Sequence, residues 1–421
     1  MKVHLSALGC KLNQNEMETI ARQLAAAGHQ VVLDPADADT IIVNTCTVTH
    51  VAARKSRQLT RRLHRANSSA RLVLTGCFAE ISREEAAKLP GVSRVVGNQE
   101  KDGLIKLLGL APDESLVSHP DASGITPQLR TRASVKIQDG CDNECTYCIV
   151  RIARGTQRSR AKDEIMAEIR ARLHAGYQEI VLTGVHIGAY GRDQQQITQT
   201  SLWELVEEIL ANTAVPRLRL SSIEPWDIAG ENLRLWEDKR LCRHLHLPLQ
   251  SGSNAVLGRM RRHYTSATFA CLVEHARRIV PEIAITTDVI VGFPGETEAE
   301  FAETLRFVEA MHFRKVHIFP FSSREGTEAA GFSPQLAPQV KQDRVQRLAQ
   351  IAKRNEMVYC EQFVNRTVEV LWETQTGAAE WSGLTDHYVR VHAHHPIDIR
   401  NTITPVYISA LSSTGLCGHI L

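Results

Sequence analysis

From Val3 to Ile318 the sequence repeats one unit: a short apolar run, a glycine-rich or polar turn, then a stretch with helical periodicity. Such alternation predicts a parallel sheet faced by helices. Three apolar runs, Val3–Leu8, Thr40–Asn44 and Arg71–Thr75, alternate with helical stretches at Asn13–Ala27, Val51–Ala66 and Ser82–Leu89, the last opening on a helix-start serine. They predict an N-terminal parallel-sheet α/β domain. Six more runs, Ser134–Ile137, Glu179–Leu182, Arg217–Leu220, His244–Leu247, Ala284–Val291 and Lys315–Ile318, are separated by stretches such as Lys162–His174, Ser201–Asn212, Ser266–Val280 and Glu298–Met311. They predict an open, partial (β/α)6 barrel, whose chemistry gathers at the carboxyl ends of the strands. Leu110–Arg132, rich in Pro, Asp and Ser without periodicity, reads as a linker. After a helix near Lys341–Cys360, the runs Thr367–Trp372, Tyr388–Ala393, Pro405–Ser409 and Gly418–Leu421 predict a small antiparallel β-barrel. The expected domains are residues 1–112, a linker over 113–132, a core at 133–358 and the small barrel at 359–421.

Two cysteine sets fall at strand ends. Cys141, Cys145 and Cys148 follow the first strand of the predicted barrel at Cys-x-x-x-Cys-x-x-Cys spacing. Three thiolates so placed can hold three corners of an iron–sulfur cluster and leave one iron open. Ferredoxin runs and structural zinc sites supply a fourth ligand. Here His174 lies on a predicted helix and the next cysteine is Cys242. Cys10, Cys46 and Cys77 each follow a strand of the N-terminal sheet, so they line one sheet edge and can meet in space to hold a second cluster with an open iron. Cys242, Cys271, Cys360 and Cys417 have no such spacing.

Composition is that of an ordinary globular protein, 43% hydrophobic and 23% charged. No run approaches the roughly 20 apolar residues of a membrane span, and the N-terminus lacks a signal-peptide pattern. Ten cysteines in that setting argue for metal or redox chemistry in a reducing cytoplasm. Net charge is only +2, so a nucleic-acid partner needs local basic groups. Three stand out: Arg54 to Arg65 on one predicted helix; Arg151, Arg154, Arg158 and Arg160 after the second triad; and Arg259, Arg261, Arg262 and His263.

With Tyr147 before the last cysteine, the Cys141–Cys148 run resembles the radical S-adenosylmethionine (SAM) superfamily. Leu8-Gly9-Cys10-Lys11-Leu12-Asn13-Gln14, Val43-Asn44-Thr45-Cys46-Thr47-Val48 and Leu74-Thr75-Gly76-Cys77 are similar to the N-terminal domain of radical SAM methylthiotransferases. The resemblance implies two 4Fe–4S clusters, one on Cys141, Cys145 and Cys148 and an auxiliary one on Cys10, Cys46 and Cys77. It implies SAM or the target base near Tyr147, Thr183, Gly184, Ser221, Ser222, Gln250 and Asp288. Arg324-Glu325-Gly326-Thr327 also matches, with packing beneath the barrel mouth as its expected role. In that family a 5′-deoxyadenosyl radical removes hydrogen from the substrate carbon, and sulfur methylated by a second SAM is inserted. The end of the chain resembles a TRAM domain, which implies RNA binding; a structural cap is the alternative.

Leu8 to Glu16 and Arg219 to Pro225 are most similar to the branch acting on N6-threonylcarbamoyladenosine in the tRNA anticodon stem-loop. That branch forms the 2-methylthio derivative and draws electrons from a donor such as flavodoxin or ferredoxin. Isopentenyladenosine in tRNA is the second expectation and a ribosomal-protein aspartate the third. From a different class comes a non-catalytic iron–sulfur RNA-binding regulator, which would bind RNA without cleaving SAM.

Overall fold

A computed structural model describes residues 1–111, 131–193 and 200–421; most of the expected linker lies outside these residues. The N-terminal sheet has five strands, all parallel, ordered Gln30–Val32, Lys2–Ala7, Thr40–Thr45, Arg71–Gly76, Val92–Val95. Its middle strand, Thr40–Thr45, is buried at every residue, which is why its apolar run is continuous. The two outer strands carry no sequence signal, because three or four half-exposed residues are too few to show a period. The Ser82–Leu89 expectation is corrected. One helix starts at Cys77 and ends at Ile81, a second spans Arg83–Ala87, and the Ser82 side chain caps neither. The chain turns into helix directly after the strand, which places Cys77 on the first helical residue.

Six parallel strands follow in sequence order. Arg132–Lys136, Glu179–Thr183 and Arg217–Leu220 form one three-stranded sheet; His244–His246, Ala284–Val291 and Lys315–Pro320 form the next. Parallel bridges Leu218–Leu241 and Ser222–His246 join them into one open arc. Helices Lys162–His174, Leu202–Asn212, Ser266–Ile279 and Glu298–Met311 cover its outer face. Ser201, Thr265 and Thr297 start the last three with reciprocal capping boxes. The shared core runs from Ala133 to Ala352 through Ile180, Leu218, Leu245, Ile285 and Phe301.

A helix over Pro338–Glu361 leads to a closed five-stranded barrel: Thr367–Gly377, Glu380–Thr385, Arg390–His394, Gly415–Ile420 and Ile403–Ser412. Glu380–Thr385 escapes sequence reading because Ser382 and Gly383 interrupt its apolar pattern, although the strand is buried from Trp381 onward. Trp372 and Trp381 fill the barrel interior. The Asp386-His387-Tyr388 turn inserts at the amino-terminal end of the arc. Arg217 donates to Leu384 O at 3.1 Å, Arg219 to Asp386 O at 2.9 Å and Arg314 to Tyr388 O at 3.1 Å. The Tyr388 ring stacks on His244 at 4.8 Å. The small barrel therefore closes the floor of the arc, while the carboxyl ends of the strands stay at the opposite mouth.

Candidate active site

The loop bearing Cys141, Cys145 and Cys148 runs between the short strand Gln138–Asp139 and the helix Val150–Arg154. Gly140 opens it at φ +73°, where a Cβ would lie 1.9 Å from Thr156 O; only glycine permits this approach. Thr146 N–H donates to Met260 O at 3.2 Å and its hydroxyl to Arg259 O at 2.9 Å. Two side chains that the sequence does not single out as thiol partners stand beside the cysteines. Arg262, buried and ion-paired with Glu224, donates to Cys145 Sγ at 3.2 Å and packs on the Trp226 ring at 4.9 Å. His186 pairs with Asp227 at 2.6 Å. Burial opposes its charge, but Asp227 and the neighbouring Cys141 outweigh that and raise its pKa to about 9. Burial pushes the Cys148 thiol up to about 12. A thiol so buried is inert unless a metal replaces its proton.

The second set assembles as its strand-end positions require. Cys10 precedes the first residue of the helix Lys11–Ala26, Cys46 follows Thr40–Thr45, and Cys77 begins its own helix. Gly9 sits at φ +102°, and a Cβ there would lie 2.7 Å from Cys46 Cβ and 2.8 Å from its sulfur. Ser56 clamps the Cys46 backbone, accepting from its N–H at 3.0 Å and donating to its carbonyl at 2.9 Å. Asn98 donates to Cys77 Sγ at 3.8 Å. Burial pushes the Cys46 thiol up to about 11. Among the described residues, the only three ligand atoms converging within 4.8 Å belong to His246, Asp288 and His317. A single zinc with Zn–S near 2.3 Å needs sulfurs roughly 4 Å apart. Neither cysteine triad forms such a group among the described residues, so the sulfurs of each do not all lie as close together as one zinc ion needs.

A buried ion network ties the two loops together. Arg154, on the helix that leaves the first triad, contacts Glu16 and Asp139 at 2.9 Å each and Asn13 Oδ1 at 2.7 Å. Lys101 reaches Glu16 at 2.7 Å, and Asn98, the partner of Cys77, donates to Ala153 O at 2.6 Å. Burial works against the Glu16 carboxylate, yet Lys101 and Arg154 hold its pKa far below the usual range.

Between the N-terminal sheet and the arc lies a cavity of about 640 Å3. Cys10, Cys46 and Cys77 form one wall; Thr183, Gly184, Ser221, Ser222 and Asp288 line the other. His246 bridges Thr286 at 2.8 Å and Asp288 at 3.3 Å. Two expected cofactor residues are not among the lining residues. Tyr147 packs edge-on against Phe293 in a separate apolar cluster. Gln250, at φ +62°, uses its backbone to extend the arc beside Asp288 and Ile290. Arg324 docks on the loop after Cys46, donating to Thr47 at 2.6 Å, so its segment joins the two sheets.

The basic groups need correction. Arg154 and Arg262 are buried in ion pairs, Arg160 binds Glu168 and Arg259 binds Glu300; these charges serve the fold. Arg54, Lys55, Arg61, Arg62 and Arg65 remain exposed on the helix His50–Ala66. Its first N–H donates to Ser322 at the mouth of the arc. His174 is held by Arg170 O at the end of its helix, and Cys242 is buried behind Arg219. Neither approaches the first triad.

An open arc of six parallel strands with a cysteine-bearing loop after its first strand is the architecture of a radical SAM enzyme. Residues 135–308 match the Radical SAM superfamily, and residues 2–97 match the Uncharacterized protein family UPF0004. The structure of radical S-adenosylmethionine methyltransferase TsrM from Kitasatospora setae shares this fold, with TM-score 0.55 and 16% identity over 76% of this chain and 72% of its own. The threonylcarbamoyladenosine tRNA methylthiotransferase MtaB of Bacillus subtilis (strain 168) is 39% identical over 92% of this chain and 89% of its own. MtaB of Chlamydia pneumoniae is 37% identical over 99% and 97%. A tRNA-2-methylthio-N(6)-dimethylallyladenosine synthase of Syntrophobacter fumaroxidans is 33% identical over 100% and 95%. The chain belongs to the radical SAM methylthiotransferases. Its cofactors are SAM and 4Fe–4S clusters, two per chain.

Proposed function

We propose that the protein converts N6-threonylcarbamoyladenosine, next to the anticodon of tRNA, to its 2-methylthio derivative. The observation that carries this reading is the shared cavity, which sets Cys10, Cys46 and Cys77 across from Thr183, Ser221 and Asp288. In this reading Cys141, Cys145 and Cys148 hold the cluster used with SAM, and Cys10, Cys46 and Cys77 hold the auxiliary one. When bound, these groups supply the radical and the sulfur, chemistry that protein side chains do not offer. Arg262 and His186 stabilise the negative charge of Cys145 and Cys141. Ser221, Ser222 and the His246–Asp288 pair orient the base, and the Tyr388 floor excludes water from the cavity.

The choice among substrates follows the MtaB relatives of Bacillus subtilis and Chlamydia pneumoniae, at 39% and 37% identity against 33% for the dimethylallyladenosine synthase of Syntrophobacter fumaroxidans. In this reading the tRNA backbone runs over the exposed arginines and Lys55 of His50–Ala66, whose first N–H docks on Ser322 at the mouth of the arc. The decisive experiment is nucleoside mass spectrometry of tRNA from a deletion strain. Loss of 2-methylthio-N6-threonylcarbamoyladenosine, restored by the intact gene and not by a Cys46→Ala copy, is expected; an unchanged peak refutes the assignment.

A further inference from the structure

We propose that Lys11 is the residue that recognises the substrate carboxylate. It would hold the threonyl carboxylate of N6-threonylcarbamoyladenosine in the floor of the cavity, an inference that rests on the substrate reading above. Lys11 follows Cys10 at the start of its helix, and its side chain lines the cavity, with Nζ 5.4 Å from the centroid of the Tyr388 ring. Arg132 and Arg219 approach the same ring at 5.5 and 5.1 Å, but each has a carboxylate of its own: Glu373 at 2.7 Å and Glu179 at 2.7 Å. Arg154, the other fixed cation of the lining, is saturated by Glu16 and Asp139. Asp288 is the one carboxylate in the lining, and it faces His246. Among the described residues, the Lys11 side chain makes no hydrogen bond or ion pair and touches only the Tyr388 ring, so it is the positive charge of this cavity with no carboxylate of its own.

An ammonium with no carboxylate of its own against low-dielectric walls selects an anion. The lining contributed by the arc also holds two buried polar atoms without partners among the described residues, Ser221 Oγ and His244 Nδ1. A threonylcarbamoyl group ends in a carboxylate and a hydroxyl, whereas an isopentenyl group is a neutral hydrocarbon. Lys11 therefore separates the two tRNA substrates by charge. SAM carries a carboxylate as well, but the proposed SAM-side cysteines, Cys141, Cys145 and Cys148, are not among the residues around Lys11 in this cavity.

The test measures equilibrium binding of synthetic anticodon stem-loops to the reconstituted holoenzyme with saturating SAM. Three RNAs carry threonylcarbamoyladenosine, its methyl ester, or isopentenyladenosine. Wild type is expected to prefer the acid over the ester by roughly tenfold or more. Lys11→Gln should bring that ratio close to one, and Lys11→Arg should keep it. Because the ratio is internal to each variant, partial loss of folded protein does not disguise the result. A Lys11→Gln variant with the wild-type ratio overturns the inference. So does a raised Kd for SAM with an unchanged ratio, which would assign Lys11 to the SAM carboxylate. A wild type that methylthiolates only the isopentenyl RNA overturns the substrate reading and the inference together. Activity on threonylcarbamoyl RNA without acid preference overturns the inference alone.

Discussion

At the residue scale, Gly9 shows how little room the second triad has. With φ at +102°, a Cβ on Gly9 would lie only 2.7 Å from the Cβ of Cys46, which leaves no space for any side chain. Gly9→Ala is expected to displace Cys46 and roughly halve the iron bound per chain, measured by iron and sulfide analysis after anaerobic reconstitution; full iron content would contradict the proposed ligand set. The backbone strain alone costs about 1–3 kcal/mol. The six cysteines and the glycines beside them are legible in the sequence because their spacing from strand ends is local information. Arg262, Glu224, His186 and Asp227 are not, since Arg262 lies 117 positions from Cys145 and pairs with it only through the fold. Arg154 and Arg262 pass for surface charges in the sequence for the same reason: a guanidinium looks alike there whether water or a buried carboxylate faces it.

At the element scale, the helix Val150–Arg154 is bolted to the N-terminal domain by Arg154 on Glu16, a carboxylate that Lys101 also pairs, while Asp139 holds Arg154 from its own side. Glu16→Gln should destabilise the protein by about 3–5 kcal/mol at neutral pH, because it leaves Arg154 and Lys101 buried with too little counter-charge. The Glu16 pKa is depressed on folding, so its contribution is complete above the unfolded value near 4.5 and is lost as pH falls below it. The gap between wild type and Glu16→Gln in urea unfolding should therefore be constant above about pH 5 and shrink below it. A gap that widens in acid would show that the carboxylate is not the paired form. The helix His50–Ala66 supports a separate expectation. Reversing Arg54, Lys55 and Arg62 to Glu should weaken tRNA binding and flatten its dependence on salt, the slope changing by roughly 0.9 for each phosphate no longer neutralised. An unchanged salt slope would place the RNA elsewhere. Long helices are legible, since their periodicity spans several turns. The outer strands and Glu380–Thr385 are not, because a short strand is specified by the neighbour it pairs with.

At the scale of the whole molecule, the C-terminal barrel is both a separate closed sheet and the floor of the catalytic arc. Arg219 carries this joint: it is fully buried, paired with Glu179 at 2.7 Å and donating to Thr385 O and Asp386 O. Arg219→Ala should cost about 3–5 kcal/mol by leaving Glu179 unpaired in the interior, whereas Arg219→Met with Glu179→Leu should recover most of that loss. Thermal and urea unfolding of the two variants check this; equal destabilisation would mean that the hydrogen bonds to the barrel, and not the ion pair, hold the joint. By itself the sequence determined the alternation of strands and helices, the cysteine spacing and hence the chemistry of sulfur and iron, because each is written in neighbouring residues. Only the tertiary structure decided that one buried ion network ties the two cysteine loops together, that Arg154 and Arg262 are spent inside the fold, and that the Lys11 ammonium looks into the cavity with no carboxylate paired to it. Those facts depend on the juxtaposition of residues far apart in the chain, and burial, which sets the strength of every charge, is a property of the folded whole.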